Sequence, residues 1–224
     1  MFCAVGTWLR FIGKRSCVLD PFYLIVDTAD WIERLLPCGV RLVQLRIKDV
    51  SPEIRREEIA RSKALCASHG AQLIVNDYWQ EAIDLGCDYI HLGQGDLDTA
   101  DLPAIRKAGL RLGVSTHDEA ELARALDTQP DYIALGPIYP TILKKMPFAP
   151  QGLERLSDWK KKIGSVPLVG IGGISLDRAK GVLEAGADSA AVVTDITLNA
   201  DPEARARAWA EATRPFVRAS ASKC

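Results

Sequence analysis

Short β-branched runs alternate with longer amphipathic segments eight times along this chain, and no other feature restricts its fold more. The candidate strands are Phe22 to Val26, Leu42 to Ile47, Gln72 to Asn76, Tyr89 to Leu92, Arg111 to Ser115, Tyr132 to Gly136, Leu168 to Ile171 and Ala190 to Thr194, each followed by a helical pattern. Strict β-then-α order makes consecutive strands parallel, because the chain crosses back over the sheet before it pairs again. Eight such units in 224 residues fit a closed barrel better than an open doubly wound sheet. The expectation is a single α/β domain, a (β/α)8 barrel over residues 21–216, with an N-terminal extension at 1–20 and a C-terminal tail at 217–224. Two helix starts support the phase: Thr116-His117-Asp118-Glu119 reads as a capping box, and Ser175 precedes Leu176-Asp177 where a capping hydroxyl and a first-turn acid belong.

Composition narrows the class of partner. With 28 basic and 29 acidic residues intermixed, the net charge of −1 leaves no electrostatic footprint for nucleic acid or an anionic membrane. The apolar stretches near the start are broken by Arg10, Lys14 and Arg15, and no run approaches the roughly 20 residues a bilayer span needs. Cys3, Cys17, Cys38, Cys66, Cys87 and Cys224 lack any C-x-x-C spacing, so neither a zinc site nor a disulfide framework is indicated. Reduced thiols point to a cytoplasmic protein that acts on small molecules.

In a parallel barrel, chemistry gathers where strands end, which makes polar residues there the candidates. The second strand reads Leu42-Val43-Gln44-Leu45-Arg46-Ile47-Lys48, and a period of two puts Gln44, Arg46 and Lys48 on one side and Val43, Leu45 and Ile47 on the other. The apolar side faces the helices. Burying two uncompensated cations would cost several kcal/mol each, so the inward side asks for an anion, either a bound ligand or acids on neighbouring strands. Asn76-Asp77 ends the third strand, and His91-Leu92-Gly93-Gln94-Gly95-Asp96 carries a second acid beyond the fourth. Two carboxylates completed by substrate phosphate oxygens suit Mg2+, although Asp77 could equally cap a helix and Asp96 sit in a glycine turn. His91, lacking a partner at ligand spacing, is assigned a supporting hydrogen bond, and Ser115, outside any nucleophile motif, a positioning or capping role. Past the sixth strand, Gly136-Pro137-Ile138-Tyr139-Pro140-Thr141-Ile142-Leu143-Lys144-Lys145 is too rich in turn residues to stay extended. Gly170-Ile171-Gly172-Gly173 and Val193-Thr194 follow strands seven and eight, where barrels of the phosphate-binding type hold a phosphate.

Taken together, these motifs resemble the thiamine-phosphate synthase family from about Phe22 to the last helix. The resemblance is carried by Gln44 to Lys48, Val75-Asn76-Asp77, His91 to Asp96, Gly113-Val114-Ser115, Gly136 to Thr141 and Gly170 to Ile174, in that order. It implies a magnesium-dependent transferase of thiamine biosynthesis that joins 4-amino-2-methyl-5-(diphosphooxymethyl)pyrimidine to a thiazole phosphate and releases diphosphate. It further implies that Gln44, Leu45, Arg46, Ile47, Lys48, Asn76, Ser115 and Lys144 hold the pyrimidine diphosphate, with Arg46, Lys48 and Lys144 acting on the departing group. Asp77 and Asp96 would bind Mg2+. Thr141, Ile142, Leu143, Gly173, Val193 and Thr194 would surround the thiazole phosphate. A homodimer is a family-level expectation. The chain departs from the family at Leu143 and Thr194, where threonine and serine are common, and at Gly95, where an acid is common. Rival readings are a thiazole tautomerase-like enzyme and a non-catalytic thiazole-phosphate binding or regulatory protein. The joint presence of Arg46, Lys48, Asn76, Asp77, Asp96 and Lys144 argues against the first, since it would not need a full diphosphate and metal site.

Overall fold

The structure, a computed structural model, describes residues 18–141 and 148–217. Strands β1 (Phe22–Val26), β2 (Leu42–Leu45), β3 (Gln72–Asn76), β4 (Tyr89–Leu92), β5 (Arg111–Thr116), β6 (Tyr132–Leu135), β7 (Leu168–Ile171) and β8 (Ser189–Val192) form one closed barrel in chain order. Every neighbouring pair is parallel, and the seam is closed by Phe22 opposite Ala190 and Leu24 opposite Val192. Helices α1 (Ala29–Leu35), α2 (Pro52–Ser68), α3 (Trp79–Asp84), α4 (Leu102–Lys107), α5 (Glu119–Asp127), α6 (Gly152–Ile163), α7 (Leu176–Glu184), the short α8 (Thr194–Thr197) and α9 (Pro202–Thr213) follow in turn. The eightfold alternation expected from the pattern is the fold.

Strand parity sorts the core into two layers. Leu24, Val26, Val43, Leu45, Val75, Ile90, Leu92, Val114, Ile133 and Leu135 meet the helices, where Ile32, Leu35, Ile59, Leu156, Trp159, Val182 and Trp209 are buried against them. The alternate residues Tyr23, Ile25, Leu42, Ile74, Tyr89, Tyr132, Ala134, Val169 and Ala191 fill the barrel itself. Both faces of each strand are therefore covered, as parallel sheets require. Trp209 on α9 stacks on Phe22 of β1, with centroids 5.4 Å apart, so the last long helix covers the first strand beside the seam.

The ends of four strands and two helix caps differ from the sequence reading; among them β6 stops at Leu135 rather than Gly136, and β8 begins at Ser189 rather than Ala190. Strand β2 stops at Leu45, not Ile47; the alternation runs on past it, with Arg46 and Lys48 exposed and Ile47 buried, although Arg46 N–H still donates to Val26 O at 2.7 Å. Strand β8 stops at Val192 because Val193 (φ −127°, ψ −81°) leaves the extended region and Thr194 opens α8. Thr116 extends β5 by one residue, and its hydroxyl donates to Ala134 O at 3.0 Å rather than capping a helix. The cap of α5 is Asp118, which accepts from Glu121 N–H at 2.9 Å, while Glu121 reaches back to His117 N–H at 2.7 Å. Ser175 occupies the N-cap of α7, but its hydroxyl makes no capping bond; the Leu176 N–H is taken by Asp195 Oδ2 at 3.1 Å instead. Asp195 also accepts two bonds from Arg205 at 2.9 Å and one from Trp209 Nε1 at 2.7 Å, tying α7, α8 and α9 together. Burial pushes its carboxyl up, but those donors outweigh burial and hold it below the usual carboxylate value.

Among the described residues no helix is long and apolar enough to cross a membrane. Cys38, Cys66 and Cys87 are free, buried thiols.

Candidate active site

The carboxyl ends of β2, β3 and β4 bring charges of both signs to one side of the barrel mouth. Gln44 is buried on the inward side of β2, as its parity requires. Arg46 and Lys48 are exposed at the rim rather than buried, which corrects the expectation of a desolvated cation pair; solvent reaches them because the strand has ended below them. Lys48 Nζ lies 2.6 Å from Asp77 Oδ2, so one acid of the neighbouring strand answers part of that positive charge. The Arg46 side chain has no hydrogen bond or ion pair among the described residues. Its charge is nonetheless felt at His91, which places both in the same mouth.

Asp77 follows β3 in the left-handed region, at φ 66°, a conformation aspartate tolerates better than most residues. Its N–H donates to His91 O at 2.9 Å, fixing the turn to β4. The carboxylate is not spent as a helix cap, since Tyr78 is the N-cap of α3 and makes no side-chain bond there. Asp96 opens a 3-10 turn after β4 and accepts from Gly93 N–H at 2.9 Å. Burial, and next the Asp77 carboxylate beside it, raise its pKa; the Gly93 N–H and Lys48 act in the opposite direction. A carboxyl whose proton affinity is raised by a second carboxylate beside it forms with that neighbour a hard-oxygen pair that a divalent cation would relieve. No group of three or more His, Cys, Asp or Glu that could hold a metal occurs among the described residues, so a cation here would need oxygens from a bound phosphate.

Beneath this rim the barrel interior is polar. Asn76 is buried at the inward end of β3. His91 Nε2 lies 2.8 Å from Ser115 Oγ, and its Nδ1 lies 2.7 Å from Tyr132 Oη. Tyr132 Oη is 3.0 Å from Tyr23 Oη, which accepts from Gln44 Nε2 at 2.8 Å. The tyrosine rings meet edge-on, and His91 stacks on Tyr132 with an interplanar angle of 15°. Burial pushes the His91 pKa down to about 4, with Asp96 opposing and Arg46 assisting. The Ser115–His91 contact is therefore no nucleophile–base pair: the second imidazole nitrogen faces a phenol rather than a carboxylate, and so weak a base would hardly take a proton at neutral pH. Neither Tyr23 nor Tyr132 was identified from the sequence, although both stand at inward positions where a phenol needs a partner.

Across the mouth, the loops after β6 and β7 are locked together. Ile138 N–H and Tyr139 N–H donate to Ile171 O and Gly172 O at 2.9 and 3.0 Å. Gly172 and Gly173 have φ of 93° and 64°, and a Cβ on Gly173 would fall 2.3 Å from Pro140 O. The glycine pair is thus required by the neighbouring loop, whose Tyr139 and Pro140 carbonyls lie against Gly173. Thr194 lies at the start of α8, half-buried, after Val193. Ile142, Leu143 and Lys144 lie outside the described residues.

The chain matches a family model described as thiamine monophosphate synthase over residues 21–196. It is 67% identical over 198 residues to a thiamine-phosphate synthase of Rhizobium etli, covering 88% of this chain and 97% of that one. To a thiamine-phosphate synthase of Neisseria meningitidis serogroup A it is 51% identical over 188 residues, covering 84% and 92%. A solved structure of thiamine phosphate pyrophosphorylase from Pyrococcus furiosus superposes with a TM-score of 0.79 at 24% identity, covering 89% of this chain and 98% of that one. That likeness concerns the barrel alone.

Proposed function

We propose that, in this chain, which belongs to the thiamine monophosphate synthase family, the rim over β2 to β4 draws diphosphate off a pyrimidine while the loops after β6 to β8 hold the replacing thiazole phosphate. The activity is thiamine-phosphate synthesis, the transfer of an alkyl group between small molecules. The bond from the pyrimidine methylene to the diphosphate oxygen breaks with its electron pair leaving on oxygen. The thiazole nitrogen then forms the new bond with its own lone pair. No proton must move, so the weak basicity of His91 is no handicap.

The observation that carries this reading is the set of Arg46, Lys48, Asp77 and Asp96 at one side of the mouth, with Lys48 2.6 Å from Asp77. The guanidinium of Arg46, left without a partner among the described residues, attracts the negative charge that grows on the leaving oxygen. Lys48 pairs with Asp77 and adds a second cation beside the diphosphate. Gln44 and Asn76, together with the backbone of Leu45 and Ile47, would seat the pyrimidine end, and Ser115 would contact the same substrate; Lys144 would add a third cation from the loop. Thr141, Ile142, Leu143, the Gly173 backbone, Val193 and Thr194 would seat the thiazole phosphate. Asp77 and Asp96 fit Mg2+, which when bound would supply charge neutralisation on the diphosphate oxygens. The even charge balance and free thiols support a cytoplasmic enzyme, and the family resemblance supports a homodimer.

Mixing both substrates with Mg2+ and the protein should release diphosphate and yield thiamine phosphate by mass, and excess chelator should stop it until Mg2+ is restored. Full turnover in chelator would remove Asp77 and Asp96 from their metal role. A protein that retained thiazole phosphate yet released no diphosphate would instead be a binding module.

A further inference from the structure

Five side chains link one side of the barrel mouth to the other through its buried interior, in the order Gln44, Tyr23, Tyr132, His91 and Ser115, with contacts of 2.8, 3.0, 2.7 and 2.8 Å. Each hydroxyl in such a chain can give one proton, and a buried proton needs an acceptor, so the direction of every bond follows from the end whose donor is fixed. At one end the Gln44 amide Nε2 can only donate, so Tyr23 accepts and its own proton turns to Tyr132. Tyr132, accepting there, donates to His91 Nδ1. An imidazole that accepts at Nδ1 and is neutral carries its proton on Nε2, and Nε2 faces Ser115 Oγ. Ser115 then accepts from His91, and its own hydroxyl proton is left to point into the mouth.

We propose that Tyr23, Tyr132 and His91 are positioning residues that fix the Ser115 hydroxyl as a hydrogen-bond donor to the diphosphate-bearing substrate. The part played by Ser115 rests on the function proposed above; the direction of the chain does not. A diphosphate oxygen offers only lone pairs, so a serine held as donor binds it without first reorienting, and one held as acceptor opposes it. The Gly113-Val114-Ser115 segment supports the arrangement. Gly113 lies opposite Tyr132 in the ladder, and a Cβ there would fall 2.1 Å from the Tyr132 ring, so the phenol reaches His91 only because that position is glycine.

The chain contains three histidines, which makes the test direct. In substrate-free H69Q/H117Q protein labelled with 15N-histidine, His91 should show a protonated Nε2 and an unprotonated Nδ1. In the same background Tyr132→Phe, which removes the donor to Nδ1, should shift His91 away from that tautomer. It should also lower kcat/KM for the pyrimidine diphosphate by about three- to tenfold while KM for the thiazole phosphate stays unchanged. Tyr23→Phe serves the same purpose if Tyr132→Phe fails to fold, and the unsubstituted measurement needs neither. A proton on Nδ1 would reverse the chain and overturn the proposal, as would a His91 signal indifferent to both phenylalanine variants. The expected tautomer with undiminished kcat/KM in both variants would overturn the role of Ser115 toward the substrate and leave the direction of the chain standing.

Discussion

Residue by residue, inward strand parity was the most informative signal in the sequence. It put Gln44 on the inside, where it has a hydrogen-bond partner; His91 and Ser115, singled out only by their place near strand ends, stand inside as well and bond to each other. What it left out was pairing across the barrel: Tyr23 and Tyr132 are 109 positions apart, and their contact depends on the diameter of the closed ring, which no local pattern encodes. Burial was likewise illegible, since Arg46 and Lys48 keep the alternation of a strand that has already ended. Their position yields a prediction. Arg46→Ala should lower kcat/KM for the pyrimidine diphosphate roughly 10- to 150-fold, the loss of one charge-assisted contact. Arg56→Ala, on the exposed face of α2 and paired with Asp84, should leave it near the parent value, and equal losses in the two would refute the assignment. Gly113→Ala forces the Tyr132 ring aside and should lower Tm by roughly 2 to 10 °C, read by calorimetry.

For the elements, four strands begin and end where the sequence reading put them, β1, β3, β4 and β7. Two of the misread signals lie where a side chain makes a tertiary bond in place of a local one. Thr116 looked like a cap and instead bonds across to β6; Ser175 occupies a cap position whose work is done by Asp195 from a later helix. That substitution makes Asp195 the residue on which three helices depend. Asp195→Asn should destabilise the fold by about 2 to 4 kcal/mol, because Arg205 and the Trp209 N–H lose a charged acceptor in a largely buried site. The pH dependence has a definite sign. The folded-state pKa is depressed, so the stabilisation is complete above the ordinary carboxylate value of 3.8 and is lost as pH falls through the lower folded value. Acid unfolding followed by circular dichroism should show that contribution in the parent and not in Asp195→Asn.

In the whole molecule, the charges gathered over β2 to β4 come from separate strands, and a bound dianion with its cation would clamp those strands together. Inorganic diphosphate with Mg2+ should therefore raise Tm more than either alone; at a hundredfold excess over Kd the stabilisation is about 2.7 kcal/mol, or roughly 5 to 10 °C for a chain of this size. Asp77→Ala combined with Asp96→Ala should abolish the synergy while leaving the unliganded Tm close to the parent, and a retained synergy would place the cation elsewhere. The closure of β8 against β1, with Trp209 lying on Phe22, has a consequence for how the gene could be rewritten. The first and last parts of the barrel are neighbours, whereas the candidate site occupies only the strand-end side. A short tether joining those ends, with new termini cut between α6 and β7 at the exposed Gly164-Ser165 turn, would give a circular permutant whose reaction centre has not been touched.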